Sequence, residues 1–318
     1  MRLMNLEKTI ENKIRTRGVE YEESEEYVMD MHDLELQRNY GSMILKIGEG
    51  QTDHYYCDLV DENQDAGKQL LRLSHMKHFI HNREGIAEAI AWLYPNGFDP
   101  AAAVGATILA ATNAQVDEYN TTIQAMNPSA PVILKSKDRL GEVDDPNGYL
   151  CAMLTPSVLN ELNHISAPPH ILTLKVNDIC LVTRKLSKRF DLATNTRVRI
   201  LEIRPNHIRV QTLKQPAQTV CLPRITFKFR LPFGKSFEMI RIQFPLRLAY
   251  AMTYNKSQGQ TLLRVLLDVV IPPFAHGHLY VALSRVTFYA HIAVICLEEQ
   301  VYEDAPLANT TTYTTLLI

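Results

Sequence analysis

The side chains best placed to do chemistry sit in the last quarter of the chain. Thr253-Tyr254-Asn255-Lys256-Ser257-Gln258-Gly259-Gln260-Thr261 follows the apolar run Leu246 to Met252 with a dense set of polar groups. A strand running into such a loop presents polar side chains and main-chain N–H groups together, and Gly259 permits close approach of the backbone to a ligand. The chemistry that suits it is the holding of phosphate; an ordinary strand-to-helix turn is the plainer alternative. A second stretch, Gly277-His278-Leu279-Tyr280-Val281-Ala282-Leu283-Ser284-Arg285-Val286, carries a single cation. Phosphoryl transfer needs a cation where charge develops, whereas a lone arginine is more often a helix-surface group in a salt bridge. His278 and Tyr280 read as packing residues.

Other suggestive stretches do not complete a site. Gly234-Lys235-Ser236 has the end of a phosphate loop, but Phe229 stands at the first glycine position and Pro232 where main-chain N–H groups should cradle phosphate. No Walker A loop or Walker B carboxylate is legible. His75, His78 and His81 recur every three residues on an expected helix, with no carboxylate or cysteine to complete a metal set. Cys57, Cys151, Cys180, Cys221 and Cys296 are scattered and odd in number, which indicates neither a disulfide framework nor zinc. Asn120-Thr121-Thr122, Asn255-Lys256-Ser257 and Asn309-Thr310-Thr311 fit the glycosylation pattern, but no export signal accompanies them.

The elements that must position the two stretches follow from periodicity. At 318 residues and 46% hydrophobic the chain can bury one large or two modest cores. No apolar run approaches the roughly 20 residues that span a bilayer, so no membrane is expected and an intracellular location is. Residues 1 to about 40 read as helical, closing at Gly48-Glu49-Gly50; a looser stretch runs to about Leu73, and His75 to Tyr94 reads as one helix or two short ones, ended by Pro95-Asn96-Gly97. Thr107 to Ala111 suits a buried strand, with Asn113 placed to cap the helix that buries Val116, Tyr119 and Ile123. Lys135 to Ser166 reads as an irregular excursion from the core. From Ile171 to Thr226 the period becomes two, as in a small β-barrel. Leu246 to Thr253, Arg264 to Ile271 and His291 to Leu297 read as strands, and the threonine-rich tail from Glu298 as loose.

Net charge is -2, but unevenly spread. Acids crowd Glu20 to Glu35, whereas Arg184 to Arg247 is rich in arginine and lysine against Asp191, Glu202 and Glu238. Such a region can neutralise phosphates and release counterions; a solvated basic face is the plainer reading of the charge alone.

The two stretches resemble the fifth and sixth motifs of superfamily-one DNA helicases, most closely the petite-integration-frequency (PIF) helicases and their Helitron relatives. The resemblance extends along nearly the whole chain, through Met1-Arg2-Leu3, Leu45 to Gly50, Ile108 to Asn113, Pro168-Pro169-His170, Asn195-Thr196-Arg197, Pro223-Arg224-Ile225 and Gln243 to Leu246. It departs locally. Asp178 to Val182 replaces a Gly-Ala/Cys-Pro-Val-Met type of segment, and Asn195-Thr196 stands where Asn-Gly is common, which bears on the barrel's turns.

The resemblance implies an α/β fold: the second RecA-like lobe of such a helicase, lacking its own Walker A, with an inserted small Src-homology-type β-barrel. The implied organisation is a helical start with an irregular segment at 1–100, a first strand-helix unit at 101–170, the barrel at 171–230, the motif-bearing part of the lobe at 231–298, and a tail at 299–318. Arg285 resembles the arginine finger; Gln258, Gly259 and Arg2 are implied to face nucleotide, and Thr253, Lys256, Ser257, Arg197 and Arg224 to face DNA. Implied partners are single-stranded DNA and a first RecA-like lobe, at whose end this chain would begin. ATP and Mg2+ are the intact family enzyme's cofactors, with neither expected to bind tightly to this chain alone. Nuclear location and roles in repair, recombination, telomere maintenance or transposition follow from the family only. The alternatives are a non-enzymatic nucleic-acid-binding module or a transposon-derived remnant.

Overall fold

The computed structural model describes residues 2–49, 56–57, 69–71, 76–141, 152–162, 164, 166–190, 192–213, 216–231, 237–273, 275, 277–298 and 307–309. The chain divides into two compact units, one of residues 1–97, 105–117 and 251–318, the other of residues 98–104 and 118–250. Strands and helices are numbered in chain order.

In the first unit, strands β1 (Tyr56–Cys57) and β2 (Gln69–Leu71) join β18 (Leu307–Asn309) in a small antiparallel sheet. Its main sheet is parallel: β3 (His78–Ile80), β4 (Ala106–Ala110), β15 (Ala251–Thr253), β16 (Arg264–Asp268) and β17 (Ile292–Cys296), in the order β15-β4-β16-β17-β3. Strands β4 and β17 are buried at every position. Burial on both faces is why they read as continuous apolar runs. Helices α1 (Arg2–Arg17), α2 (Val19–Glu22) and α3 (Glu25–Glu49) precede the sheet. Ile10, Tyr21 and Leu34 form their core, and Lys13 pairs with Asp30 at 2.6 Å.

The expected helix from His75 to Tyr94 is corrected. Its first part is strand β3, paired with β17, and helix α4 (Arg83–Leu93) begins only after Asn82, whose Oδ1 accepts from Gly85 N at 2.8 Å. His78 and His81 therefore share no helix face; His75 lies outside the described residues.

The second unit holds α5 (Pro100–Gly105) except its last residue, most of α6 (Asn113–Met126), α7 (Pro156–Glu161) and strands β5 to β14. Its largest sheet is antiparallel, in the order β11 (Thr219–Pro223), β10 (His207–Thr212), β9 (Arg197–Ile203), β8 (Ile179–Val182), β14 (Leu246–Leu248). A second sheet runs β12 (Ile225–Leu231), β13 (Phe237–Gln243), β6 (Lys137–Leu140), and β5 (Val132–Lys135) pairs with β7 (Ile171–Leu174). Val182, Val198, Ile200, Ile208, Val210, Phe244 and Leu246 share one core. Asn177 and Asn195 take the left-handed φ values of 69° and 67°. Asparagine tolerates that conformation, so these turns form without glycine.

Two further expectations change. Leu246 to Thr253 is not one strand: β14 pairs antiparallel with β8, whereas β15 pairs parallel with β4. Lys135 to Ser166 is not wholly irregular, because β6 pairs with β13 and Asp138 of β6 meets Arg241 of β13 in an ion pair with both side chains 0% exposed. Such a pair must form as the sheet closes, since either charge buried alone is costly. Asp144 to Gly148, Gly234 to Ser236 and Thr310 to Thr315 lie outside the described residues.

Candidate functional site

The first candidate stretch lies at the carboxyl ends of parallel strands, where open α/β sheets receive ligands. After β15 the chain makes one helical turn, α8 (Tyr254–Ser257), and Gly259 reverses it at φ 77°. That φ is why glycine stands there. The turn is heavily tied: Tyr254 Oη donates to Asp268 O at 2.6 Å, Ser257 Oγ to Tyr254 O at 2.7 Å and Gln260 Nε2 to Lys256 O at 2.9 Å. Ser257 is 0% exposed and its hydroxyl closes the turn, so the side chain does not reach an outside ligand. Asn255, Gln258 and Gly259 are exposed, and Thr253 and Lys256 half-buried.

Lys256 Nζ donates to Asn113 Oδ1 at 3.1 Å, which sets the ammonium beside the first residue of α6. Asn113 is free for this because Thr112 caps that helix: Gln115 N donates to Thr112 Oγ1 at 3.3 Å, and Thr112 N to Gln115 Oε1 at 3.2 Å. Thr112-Asn113-Ala114-Gln115 is a capping box, and its Thr-x-x-Gln pattern was the signal that Asn113 was not the cap. Gln115 Nε2 also donates to buried Asp268 Oδ2 at 3.0 Å, fastening the end of β16 to α6. A cation beside a helix N-terminus favours an anion from outside.

The second stretch forms helix α9 (His278–Leu283), entered through Gly277 at φ 71°. His278 is 5% exposed, its Nε2 2.9 Å from Asn255 Oδ1 and its ring 5.3 Å from that of Tyr254. Burial holds its pKa below the ordinary histidine value, so the ring is neutral at pH 7 and bridges the two stretches. Arg285 binds them more tightly. Its Nη1 donates to Gln260 O at 3.0 Å and Ser257 O at 3.4 Å, Nε to Val281 O at 2.7 Å and Nη2 to Ser284 Oγ at 2.8 Å. Desolvation holds its pKa below the usual arginine value, with Tyr280 opposing. Leu262 N donates to Arg285 O at 2.9 Å, so the chain after the first stretch lies along the chain after the second.

Helix α3 supports this junction: Tyr40 Oη donates to Leu283 O at 2.7 Å and Gln37 Nε2 to Thr287 O at 3.0 Å. Neither residue stood out in the sequence, because long-range contact leaves no local pattern. The structure thus brings together Thr253, Lys256, Ser257, Gln258, Gly259 and Arg285. The backbone of Arg2 lies in α1, and its side chain is outside the described set.

Arg197 and Arg224 lie in the second unit and are turned inward. Arg197 is 7% exposed and donates to Val104 O at 3.0 Å, Ala103 O at 3.2 Å and Ala249 O at 3.2 Å. This corrects its expected place on a DNA surface: the guanidinium satisfies main-chain carbonyls instead. Arg224 is half-buried, lies over the Phe244 ring at 4.5 Å, and donates from Nη1 to Lys135 O and Gln243 Oε1, both at 2.8 Å.

No protein-family model matches the chain. Among curated proteins, it is 43% identical to the ATP-dependent DNA helicase PIF1 of Emericella nidulans over 76 residues, 24% of this chain and 10% of that protein. It is 27% identical to the ATP-dependent DNA helicase PIF1 of Danio rerio over 149 residues, 46% of this chain and 23% of that protein. The crystal structure of Pif1 helicase from Candida albicans superposes with a TM-score of 0.51 at 20% identity, covering 85% of this chain and 55% of that one. The chain thus matches under two thirds of these relatives' length, and the structural likeness supports a RecA-like fold.

Proposed function

We propose that this chain, which is similar to PIF-type superfamily-one helicases, forms the second RecA-like lobe of an ATP-dependent DNA helicase. Arg285 is its arginine finger, and Thr253, Lys256 and Asn113 belong to its DNA track. The observation that carries this reading is the attachment of Arg285 to Ser257 O and Gln260 O, at the end of the loop that bears Lys256. To reach a phosphoryl group, the guanidinium exchanges those carbonyls for phosphate oxygens. That exchange loosens the loop, so a charge sensed at Arg285 is felt at Lys256.

Among the described residues no cluster of histidine, cysteine or acid side chains suits a metal ion. By the resemblance to the PIF-type helicases, magnesium and the triphosphate are assigned to groups of a first lobe, where a bound ATP supplies the free energy of phosphoryl transfer. This chain contributes the cation to the shared site. The antiparallel sheet of the second unit is the proposed small Src-homology-type barrel, single-stranded DNA the proposed substrate, and the nucleus the proposed location.

The test is DNA-stimulated ATPase activity of this chain, alone and mixed with a first lobe from a relative. Activity only in the mixture, abolished by Arg285→Ala, is expected; turnover by this chain alone sinks the assignment. A second reading, a nucleic-acid-binding module without ATPase activity, draws on the exposed Arg184, Lys185, Lys188 and Arg189. DNA binding without turnover in any mixture favours it.

A further inference from the structure

The sheet β12-β13-β6 has one face turned to its core and one turned to solvent. In register, Phe227 stands opposite Arg241, which stands opposite Asp138, and these residues occupy the inner face with Phe229 and Met239. Because side chains alternate, the neighbours of these residues must point the other way. Lys228 and Arg230 of β12 and Lys137 and Arg139 of β6 are all exposed. The carboxylate on this outer face is Glu238 of the central strand, 26% exposed and 3.5 Å from Lys228. Ile240, register partner of both Lys228 and Arg139, is only 7% exposed. That burial fits long basic stems lying across it with their charged heads in water.

The geometry is specific. Cations two residues apart on one strand stand about 7 Å apart, and the β6 and β12 rows, with one strand between them, about 10 Å apart. We propose that this face is a docking surface for the sugar-phosphate backbones of duplex DNA. The choice of DNA rests on the function proposed above; the face itself does not. Double-stranded rather than single-stranded DNA follows from two features. Among the described residues, the outward positions of these three strands carry no aromatic side chain on which unpaired bases could stack. Its two rows are also spaced to meet the two backbones that border a groove of about 6 to 12 Å.

Basic side chains on edge strands also prevent edge-to-edge aggregation, and β6 and β12 are both edges. That role needs charge of either sign, whereas here every edge-strand charge on the face is positive. Replacement by acids therefore separates the two roles, because it keeps the edges charged and reverses only the attraction to phosphate.

The experiment measures binding of the full chain to a short blunt duplex, and to one of its strands, by fluorescence anisotropy over a range of NaCl. The quadruple variant Lys137→Glu, Arg139→Glu, Lys228→Glu, Arg230→Glu should make the log–log salt slope for duplex shallower by roughly 3 to 4, about 0.9 per lost phosphate contact. Its duplex affinity at low salt should fall at least 100-fold. Glu238→Lys, which only adds charge to a folded face, should strengthen duplex binding and steepen the slope by about 0.9. Lys256→Ala in the first unit should weaken single-strand binding and leave the duplex slope unchanged, so failure of the site reading is seen separately. Unchanged duplex slopes in both face variants overturn the proposal, as does tighter binding of an acidic polypeptide such as polyglutamate than of duplex at matched charge.

Discussion

Tyr40 donates its phenol hydrogen to the main-chain oxygen of Leu283 at 2.7 Å, across 243 positions of sequence. Leu283 ends helix α9, two residues before Arg285, and Tyr40 is 5% exposed. The helical start of the chain thereby holds the segment that presents the proposed finger.

Tyr40→Phe keeps the ring and removes the donor, leaving a buried carbonyl short of a partner. Loss of about 1 to 3 kcal/mol is expected, read as a lower urea midpoint with unchanged slope.

Burial of the same phenol makes stability fall in alkali. Burial lifts the Tyr40 pKa well above the ordinary phenol value, and Tyr254 is lifted likewise by burial and then by Asp268. A raised folded pKa contributes stability that is complete below the unfolded pKa, near 10, and lost as pH rises beyond it. The stability gap between wild type and Tyr40→Phe should therefore shrink by about 1.4 kcal/mol per pH unit above about pH 10. Urea melts of both chains across that window check it; a gap that widens excludes the buried phenol as its source.

Arg285→Lys retains charge but not the planar fork that reaches four acceptors. Hydrogen exchange at Leu262, whose N–H donates to Arg285 O, should quicken in Arg285→Ala and, less strongly, in Arg285→Lys. In the reconstituted ATPase, Arg285→Ala should cost roughly 10³-fold or more, and protection at Leu262 that does not change would separate the finger from the loop.

Asp138 and Arg241 form a buried pair in which Arg241 also donates to Pro168 O, Leu159 O and Leu162 O. Asp138→Ala alone should cost about 3 to 5 kcal/mol, because it strands a buried cation. Asp138→Ala with Arg241→Met should recover part of that loss in thermal melts; strictly additive losses would show the two charges to be uncoupled.

Gly85→Ala should weaken the β3–α4 corner, since an added Cβ would lie 2.1 Å from Ile80 O. Main-chain atoms cannot swing aside as a side-chain end does, and a loss of about 1 to 3 kcal/mol is expected. Thermal melting near wild type would mean that the corner shifts freely.

Much of this protein was legible without coordinates where the information is local. Thr107 to Ala111 read as a buried strand from its apolar run, Arg264 to Ile271 and His291 to Leu297 as strands, and the alternation after Ile171 as short strands. Strands stand in each place, and the structure adds that the first three are parallel and the last mainly antiparallel. The motifs around Lys256 and Arg285 were recognisable because the resemblance to helicase motifs is carried by residue types at short, fixed spacings. Periodicity failed at His78–Ile80, a strand too short to show a period, and at Lys137–Leu140, whose charged residues concealed a strand because one of their number has its partner on β13.

The sequence by itself determined residue chemistry, the apolar periods and the turn residues, because each depends on neighbours a few positions away. Only the tertiary structure decided which charges matter. Within one basic stretch Arg197 and Arg241 are buried against carbonyls or a carboxylate, while Lys228 and Arg230 share an open face with Lys137 and Arg139. It likewise decided that Tyr40 reaches Leu283 and Lys256 reaches Asn113. The direction of a long side chain is set by strand register and by distant segments, and neither is written in the residues beside it.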